Sequence, residues 1–430
     1  MKTFKLYTLG CKVNQYETQA MREDLIASGL TEGEGKKPAD FYIINSCTVT
    51  SRADGKSLAM LRQARTENAK AKVILTGCLV DGHEKSLLPK NTPANLIVKN
   101  QLKHRLAEIL KTRKAQNGQT AAFIPLKISS FKGHSRAFVK IQDGCDNACA
   151  YCKIPLVRGK SRSRQLSEII EEVERLTARG FKEIVLTGIC LGAYGKDISA
   201  PGKAYLDLSD LIAQLENIQR EFRIRLSSIE AKDINERLME KIARSPKMCK
   251  HLHIPFQSGD DEILRKMHRH YLVQDYLQVV KRVRRKIPDI AITTDIMVGF
   301  PSESESNFLN TLQFIEKVAP SRIHIFPFSP RPGTLAEKLP HRVPVVTIKK
   351  RERILQSLAN KKSRSYHRRF KGRSLTVLTE HARDKKGGLL KGYTENYIPV
   401  LFKGSDGLMG DLVKIKIERI EPDAVLARQI

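Results

Sequence analysis

The sequence predicts an α/β protein in three parts: an N-terminal parallel α/β domain, a central partial (β/α)6 barrel and a small C-terminal β-barrel of OB-like type. Three observations carry this. Strand-like and helix-like segments alternate over about the first 110 residues, the pattern of a parallel sheet. After a polar interruption the alternation resumes as six consecutive units with apolar strands. The last stretch of about 60 residues reads instead as short strands parted by Gly-rich turns. The expected domain bounds are 1–115, 131–362 and 365–430. An open doubly wound sheet is the alternative for the middle part, since periodicity alone does not separate it from a barrel.

In the N-terminal part the expected strands are Phe4–Leu9, Phe41–Ile44 and Val73–Thr76, and the helices Asn14–Ser28, Lys56–Arg65 and Leu102–Lys111. Thr112–Thr120, TRKAQNGQT, is polar with Asn-Gly near its middle and reads as a linker. The six strands of the middle part are Ala137–Gln142, Glu183–Thr187, Arg223–Ser227, His251–Phe256, Ile292–Val298 and Arg322–Phe328. Between them the helical stretches include Leu166–Ala178, Asp207–Glu216, Ile234–Ala243 and Glu305–Val318. A helix is expected over Ile348–Ala359, inside a basic stretch, His341–Leu375, that holds twelve Lys or Arg against one acid, Glu352. The terminal strands are Ser374–Thr379, Tyr397–Phe402 and Leu412–Glu418.

The chain has 430 residues, with 76 Lys and Arg against 46 Asp and Glu, a net charge of +30. Its 41% hydrophobic and 28% charged residues are those of a globular protein and exclude a disordered chain, a fibrous repeat and a multi-span membrane protein. So large a basic excess fits a polyanionic partner, most often nucleic acid. No apolar run reaches the roughly 18 residues of a membrane helix. Lys5 breaks the short apolar stretch of MKTFKLYTLGCK, which does not read as a signal peptide. The expectation is a cytoplasmic protein, with its eight cysteines reduced and available to metals.

Those cysteines carry the chemistry. Cys145, Cys149 and Cys152 form a C-x3-C-x2-C cluster, GCDNACAYC, after the first strand of the six-unit region. Three thiolates on one short loop reach three corners of a cubane iron–sulfur cluster and leave one iron open. A zinc site normally takes four ligands, and no histidine lies in the loop. Cys11, Cys47 and Cys78 are distant in sequence, yet each follows a predicted strand, in KLYTLGC, YIINSC and VILTGC. Adjacent parallel strands end side by side, so these three converge on one sheet edge and make a second metal site. Three unrelated buried cysteines are the alternative. Cys190 follows the strand segment LTGI at the same barrel end and reads as a packing residue, and Cys249 as an incidental loop residue.

At these residues the chain resembles the radical S-adenosylmethionine enzymes. Over nearly its whole length it is similar to their methylthiotransferase family. The resemblance runs through LGCKVN at Leu9–Asn14, INSCTVT at Ile44–Thr50, TGC at Thr76–Cys78 and GCDNACAYCKIPLVRG at Gly144–Gly159. It continues through LSSIE at Leu226–Glu230, HIPFQSGDD at His253–Asp261, DIMVGFPSE at Asp295–Glu303 and FSPRPGT at Phe328–Thr334. GYTENYIPV at Gly392–Val400 is similar to the TRAM domain, a small RNA-binding barrel. The LGCKVN form resembles the branch acting on N6-threonylcarbamoyladenosine of tRNA. An isopentenyladenosine branch and a branch acting on a ribosomal protein are the alternatives, and a zinc-bearing RNA-binding protein is the non-catalytic one.

The resemblance implies two 4Fe–4S clusters, one on Cys145, Cys149 and Cys152 and one on Cys11, Cys47 and Cys78, together with S-adenosylmethionine. A radical from the first removes hydrogen from adenine C2, and the second carries the sulfur delivered there as methylthio. For S-adenosylmethionine contacts the positional candidates are Tyr151, Thr187, Gly188, Ser228, Glu230 and Gln257. Arg158 and Arg331 are candidates for a phosphate or a cofactor carboxylate, or else are surface arginines. The expected RNA contacts are Arg364, Arg368, Arg369, Lys371 and Arg373, on a tRNA anticodon stem-loop with its target base unstacked. An electron donor and a sulfur source are also required.

Overall fold

The computed structural model describes every residue except 36, 82–87, 89–90, 113–122, 124–125 and 199–205. Most of the expected linker Thr112–Thr120 therefore lies outside the described residues. The N-terminal strands are β1 (Thr3–Thr8), β2 (Thr31–Glu32), β3 (Phe41–Ser46), β4 (Lys72–Gly77) and β5 (Leu96–Val98). They form one parallel sheet in the order β2-β1-β3-β4-β5. The helices are α1 (Lys12–Ala27), α2 (Ser51–Glu67), the single turn α3 (Cys78–Asp81) and α4 (Leu106–Thr112). Side chains alternate across the sheet as a pleated strand requires. Phe4, Ile43 and Ile74 face Met21 and Leu25 of α1 and Ile109 of α4, while Tyr42, Ile44 and Val73 face Leu61 and Ala64 of α2. The short edge strands β2 and β5 are too brief to give a periodic signal.

The middle part begins with β6 (Ala137–Lys140), followed by a two-stranded ribbon of β7 (Gln142–Asp143) and β8 (Arg162–Ser163) that brackets α5 (Ile154–Arg158). Then come α6 (Leu166–Ala178), β9 (Glu183–Thr187), α7 (Leu208–Glu216), β10 (Arg223–Leu226), α8 (Glu236–Arg244) and β11 (His251–His253). The series ends with α9 (Asp261–Lys266), α10 (Val273–Lys286), β12 (Ala291–Val298), α11 (Glu305–Val318), β13 (Arg322–Pro327) and α12 (Val345–Arg368). The parallel sheets β6-β9-β10 and β11-β12-β13 are joined by the bridges Ile224↔Met248 and Ser228↔His253. Neighbours in space are thus neighbours in sequence, which is a wound partial barrel and not the reversing order of a doubly wound sheet. No β13–β6 pairing closes it among the described residues; α1 packs against β6 and α12 against β13. The helix expected to stop at Ala359 runs on to Arg368, so Arg364 and Arg368 are helical.

The C-terminal part is a closed barrel of β14 (Ser374–Arg383), β15 (Leu390–Thr394), β16 (Pro399–Phe402), β17 (Leu412–Ile420) and β18 (Val425–Gln429), in the order β14-β15-β16-β18-β17. Val377, Leu390, Val400, Phe402, Ile415 and Val425 fill it. It docks on the strand starts of β9 and β10 through arginines. Arg223 donates to the carbonyl oxygens of Thr376 at 3.3 Å and Tyr393 at 2.7 Å. Arg225 donates to those of Glu395 at 3.0 Å and Thr394 at 3.1 Å. Both also pair with the fully buried Glu183, at 2.6 and 2.9 Å. Tyr397 stacks on His251 at 4.7 Å, under the Arg225 guanidinium. No helix among the described residues is long and apolar enough to cross a membrane.

Burial raises the Glu183 carboxyl, but Arg225, Arg223 and Arg136 outweigh it and hold the group well below its ordinary 4.5. Its contribution is complete above that value and is lost as pH falls through the depressed folded value. Replacing Glu183 with Gln leaves two buried arginines unpaired, an expected loss of about 3–5 kcal/mol. The measurement is thermal unfolding from pH 7 to 3; a variant with the wild-type midpoint at pH 7 would refute this account of the clamp.

Candidate active site

The C-x3-C-x2-C loop leaves the end of β7 and returns through α5 to β8, so a short ribbon fixes both its ends. Gln142 holds it to the next strand end. Its Nε2 donates to the carbonyls of Asp143 at 2.9 Å and Gly144 at 2.8 Å, and its Oε1 accepts from the Ile189 and Cys190 amides at 2.9 and 2.8 Å. The middle of the loop is pinned by Ala150, whose N–H donates to Met267 O at 2.9 Å and whose carbonyl accepts from Ala336 at 2.8 Å. A hydrogen bond with the Cys190 thiol draws the Cys145 thiol down to about 7. Burial raises Cys149, against the Arg269 guanidinium at 3.3 Å. Burial also pushes Cys152 up to about 12, helped by the charges of Cys149 and Cys145. The three sulfurs are therefore close enough to repel one another as thiolates, the situation a bound cation reverses.

Cys190 is buried, as a packing residue would be, and its sulfur accepts from Asn147 Nδ2 of the thiol loop at 3.9 Å. Cys249 is buried beside Arg225 at the base of the barrel, where burial pushes its thiol up to about 11.

The structure also places Cys11, Cys47 and Cys78 at one edge of the N-terminal sheet, just past the ends of β1, β3 and β4. Thr8 pairs with Asn45 and Ser46 with Gly77, so the ends of β1, β3 and β4 lie abreast. Asn14 Nδ2 bridges the carbonyls of Leu9 at 2.7 Å and Ser46 at 2.9 Å. Two glycines at positive φ permit the closeness. A Cβ on Gly10 would meet Cys47 Sγ at 2.9 Å, and one on Gly77 would meet the Ser46 carbonyl at 2.3 Å. Cys11 is exposed, whereas Cys47 and Cys78 are buried. Burial pushes Cys47 up to about 11, and the charges of Cys78 and Cys11 add to this.

The loop after Cys47 faces the C-x3-C-x2-C loop across a seam. A cavity of about 250 Å³ is lined by Thr48–Thr50 from one side and by Tyr151, Cys152, Gln257 and Asp295 from the other. Arg331 is neither exposed nor free for phosphate: it donates to Thr48 and Ser51 at 2.9 Å and pairs with Asp54, tying the barrel to the loop after Cys47. Arg158 is likewise buried. It pairs with Glu17 at 2.9 Å and Asp143 at 3.0 Å, and donates to Asn14 Oδ1 at 2.7 Å. Lys140 joins the same two carboxylates at 2.8 and 2.7 Å, and Lys103 meets Glu17 at 2.5 Å. Burial would raise Asp143, yet Arg158 and Lys140 hold it at about 2. Charged residues in helical and strand positions carry no mark of such a seam, so Gln142, Glu17, Asp143, Lys103 and Lys140 escaped sequence reasoning.

The other predicted residues divide. Tyr151 and Gln257 line the cavity, Gln257 at a positive φ of 66°. Gly188 lies against the Gln142 side chain. Thr187 is buried, and its hydroxyl turns back to Val185 O at 3.1 Å. Ser228 bridges β10 to β11 through its backbone, and Glu230 pairs with Arg269, the neighbour of Cys149. Arg364, Arg368 and Lys371 are exposed. Arg369 and Arg373 are exposed too, but both pair with Asp289.

Three family models match the chain: an uncharacterized protein family, UPF0004, over residues 3–99, the radical SAM superfamily over 139–315 and the TRAM domain over 368–428. A radical S-adenosylmethionine methyltransferase, TsrM of Kitasatospora setae, shares the fold with a TM-score of 0.54 at 12% identity, over 76% of this chain and 73% of that one. Fold and site define a radical S-adenosylmethionine enzyme carrying a TRAM barrel. Threonylcarbamoyladenosine tRNA methylthiotransferase MtaB of Thermotoga maritima is 37% identical over 99% of this chain and 97% of its own. Its namesake in Bacillus subtilis is 35% identical over 97% and 94%. A tRNA-2-methylthio-N(6)-dimethylallyladenosine synthase of Oceanobacillus iheyensis is 33% identical over 97% and 82%. The chain belongs to the radical S-adenosylmethionine tRNA methylthiotransferases.

Replacing Glu17 with Gln leaves Lys103 without a carboxylate and Arg158 and Lys140 sharing only Asp143. The expected loss is about 3 kcal/mol or more. A denaturant melt checks it, and an unchanged midpoint would remove the network from the seam's stability.

Proposed function

We propose that this chain transfers a methylthio group to C2 of N6-threonylcarbamoyladenosine, the modified adenosine 3′ of the tRNA anticodon. The observation that carries this reading is chain-long similarity, at 35–37% identity, to several enzymes named for that nucleoside. The dimethylallyl nucleoside is the second reading, favoured by relatives at 31–33%. A tRNA substrate makes the chain cytoplasmic. The segments 1–115, 131–362 and 365–430 would serve as sulfur-transfer, radical and RNA-binding domains.

Both thiol sets suit a 4Fe–4S cluster: each offers three sulfurs, and burial raises the Cys47 and Cys152 thiols, whose protons a bound cation would displace. Cys145, Cys149 and Cys152 would hold one and Cys11, Cys47 and Cys78 the other. When bound, the first with S-adenosylmethionine supplies a radical able to break an aromatic C–H that no general base deprotonates, and the second supplies the sulfur. The protein's part is placement. Gln142 sets the spacing of the thiol loop from the β9 end, and Gly188 lets it approach, since a Cβ there would meet Gln142 Oε1 at 2.9 Å. Glu230 positions Arg269 beside Cys149. Tyr151 and Gln257 wall the cavity in which the target base is held away from water. Thr187 and Ser228 would contribute backbone groups at their strand ends.

Nucleoside mass spectrometry of tRNA from a strain lacking this gene tests the reading. The expected result is loss of the 2-methylthio form, accumulation of threonylcarbamoyladenosine, and restoration by the wild-type gene. Restoration by a Cys149→Ala gene, whose product should hold about half the iron, would sink the radical-site assignment.

The exposed arginines and lysine test the RNA face separately. Arg364→Ala with Lys371→Ala should weaken tRNA binding and lower the slope of log K against log salt by roughly one for each phosphate left without its cation. Arg373→Ala should do less, since Asp289 already holds that side chain. Equal slopes for all variants would move the RNA elsewhere.

A further inference from the structure

One group of metal-binding side chains in the barrel interior belongs to neither thiol site. His253 on β11, Asp295 on β12 and His324 on β13 stand on three neighbouring parallel strands, and each brings a ligand atom within 4.8 Å of the others. Thr293, two residues before Asp295 and so on the same face of β12, meets His253 Nδ1 through its Oγ1 at 2.9 Å. The other nitrogen of that ring, Nε2, lies 3.3 Å from Asp295 Oδ1. The His324 ring stands edge-on to that of His253, with centroids 5.7 Å apart, and makes no hydrogen bond with a described residue. The group is not sealed in the core: the His253 and Asp295 side chains are 14% and 25% exposed. Asp295 lines the cavity beside Cys152, and His324 lines a cleft of about 430 Å³ that reaches the C-terminal barrel.

We propose that His253, Asp295 and His324 form a site for one divalent transition cation of the zinc type, separate from both thiol sites. Two imidazoles and one carboxylate are a donor set that such borderline cations favour. Ligand atoms arranged tetrahedrally at zinc bond lengths lie roughly 3.3 Å apart, so the spacing of His253 Nε2 and Asp295 Oδ1 already suits an ion. His324 has at most about 1.5 Å to close, and no hydrogen bond with a described residue holds it back. Thr293 occupies Nδ1 of His253, orients the ring and leaves Nε2 for the ion, as the outer partners of metal-bound histidines do. A triad that only packed the barrel would pair its polar atoms, and His324 pairs none among the described residues. Three protein ligands leave a position open to water or to an oxygen of a bound molecule. The cavity and the cleft give the ion a way in, and its charge would stand on the wall that Asp295 contributes. The proposal holds whichever nucleoside the enzyme modifies.

Zinc itself is the probe. The anaerobic enzyme is loaded with iron and sulfide, washed with a chelator and titrated with zinc, and the bound metal is counted by elemental analysis. The wild type should take one zinc per chain beyond its iron, with a shell of nitrogen and oxygen at about 2.0–2.1 Å in X-ray absorption. Thr293→Val keeps all three ligands and should weaken zinc binding by about 10–100-fold. His324→Ala removes a ligand and should weaken it further. Iron and sulfide content and the thermal midpoint show that each variant is loaded and folded. Should His324→Ala fail to fold, Asp295→Asn carries the test with the same expected loss. A wild type that takes no zinc, a zinc shell of sulfur at about 2.3 Å, or equal zinc affinity in the wild type and the ligand variant overturns the proposal.

Discussion

Arg158, Lys140 and Lys103 converge on Glu17 and Asp143 in the seam between the N-terminal sheet and the barrel, and the relative placement of the two thiol sets depends on that convergence. Glu17 belongs to α1, which starts right after Cys11, and Arg158 ends the helix that follows Cys152. The Arg158 charge also acts on Cys78. Five buried charges thus tie the segments that follow two of the six cysteines, Cys11 and Cys152. Their desolvation is costly and is offset only because every member has opposite-sign neighbours. Such a network contributes little net stability compared with an apolar seam, but it fixes one register. A reaction that needs its reacting groups held in line gains more from register than from stability.

The fold was legible because its periods are clean. β3 and β4 are apolar on both faces, as strands covered on both sides must be, and the six units of the barrel repeat without interruption. What escaped was short or context-dependent. β2 and β5 have two and three residues, and α12 runs past Ala359 through a charged surface with little apolar signal. At the site, the two cysteine triads could be read because parallel strand ends lie side by side. The positions of Arg158 and Arg331 could not be read, since nothing in a lone arginine's neighbours says that it is buried against an acid more than a hundred residues away. The role of Cys190 is hidden for a related reason. Its contact with Asn147 is made across two loops that Gln142 also joins.

The interior is graded in character. The thiols lie near buried cations, the cavity beside Cys152 has a mixed wall, and a separate cleft at the C-terminal barrel is lined by Tyr393 and Tyr397.

The arginines that dock the C-terminal barrel have a different consequence. Arg223 and Arg225 hold it by the main-chain oxygens of Thr376, Tyr393, Thr394 and Glu395 and ask nothing of their side chains. The side chains of Thr376, Thr394 and Glu395 are not needed for these bonds, whereas the Tyr393 ring lies under the Arg136 guanidinium at 5.1 Å. The appendage's outer surface is therefore free to diversify over evolutionary time toward different RNA shapes, while its orientation on the enzyme is inherited unchanged.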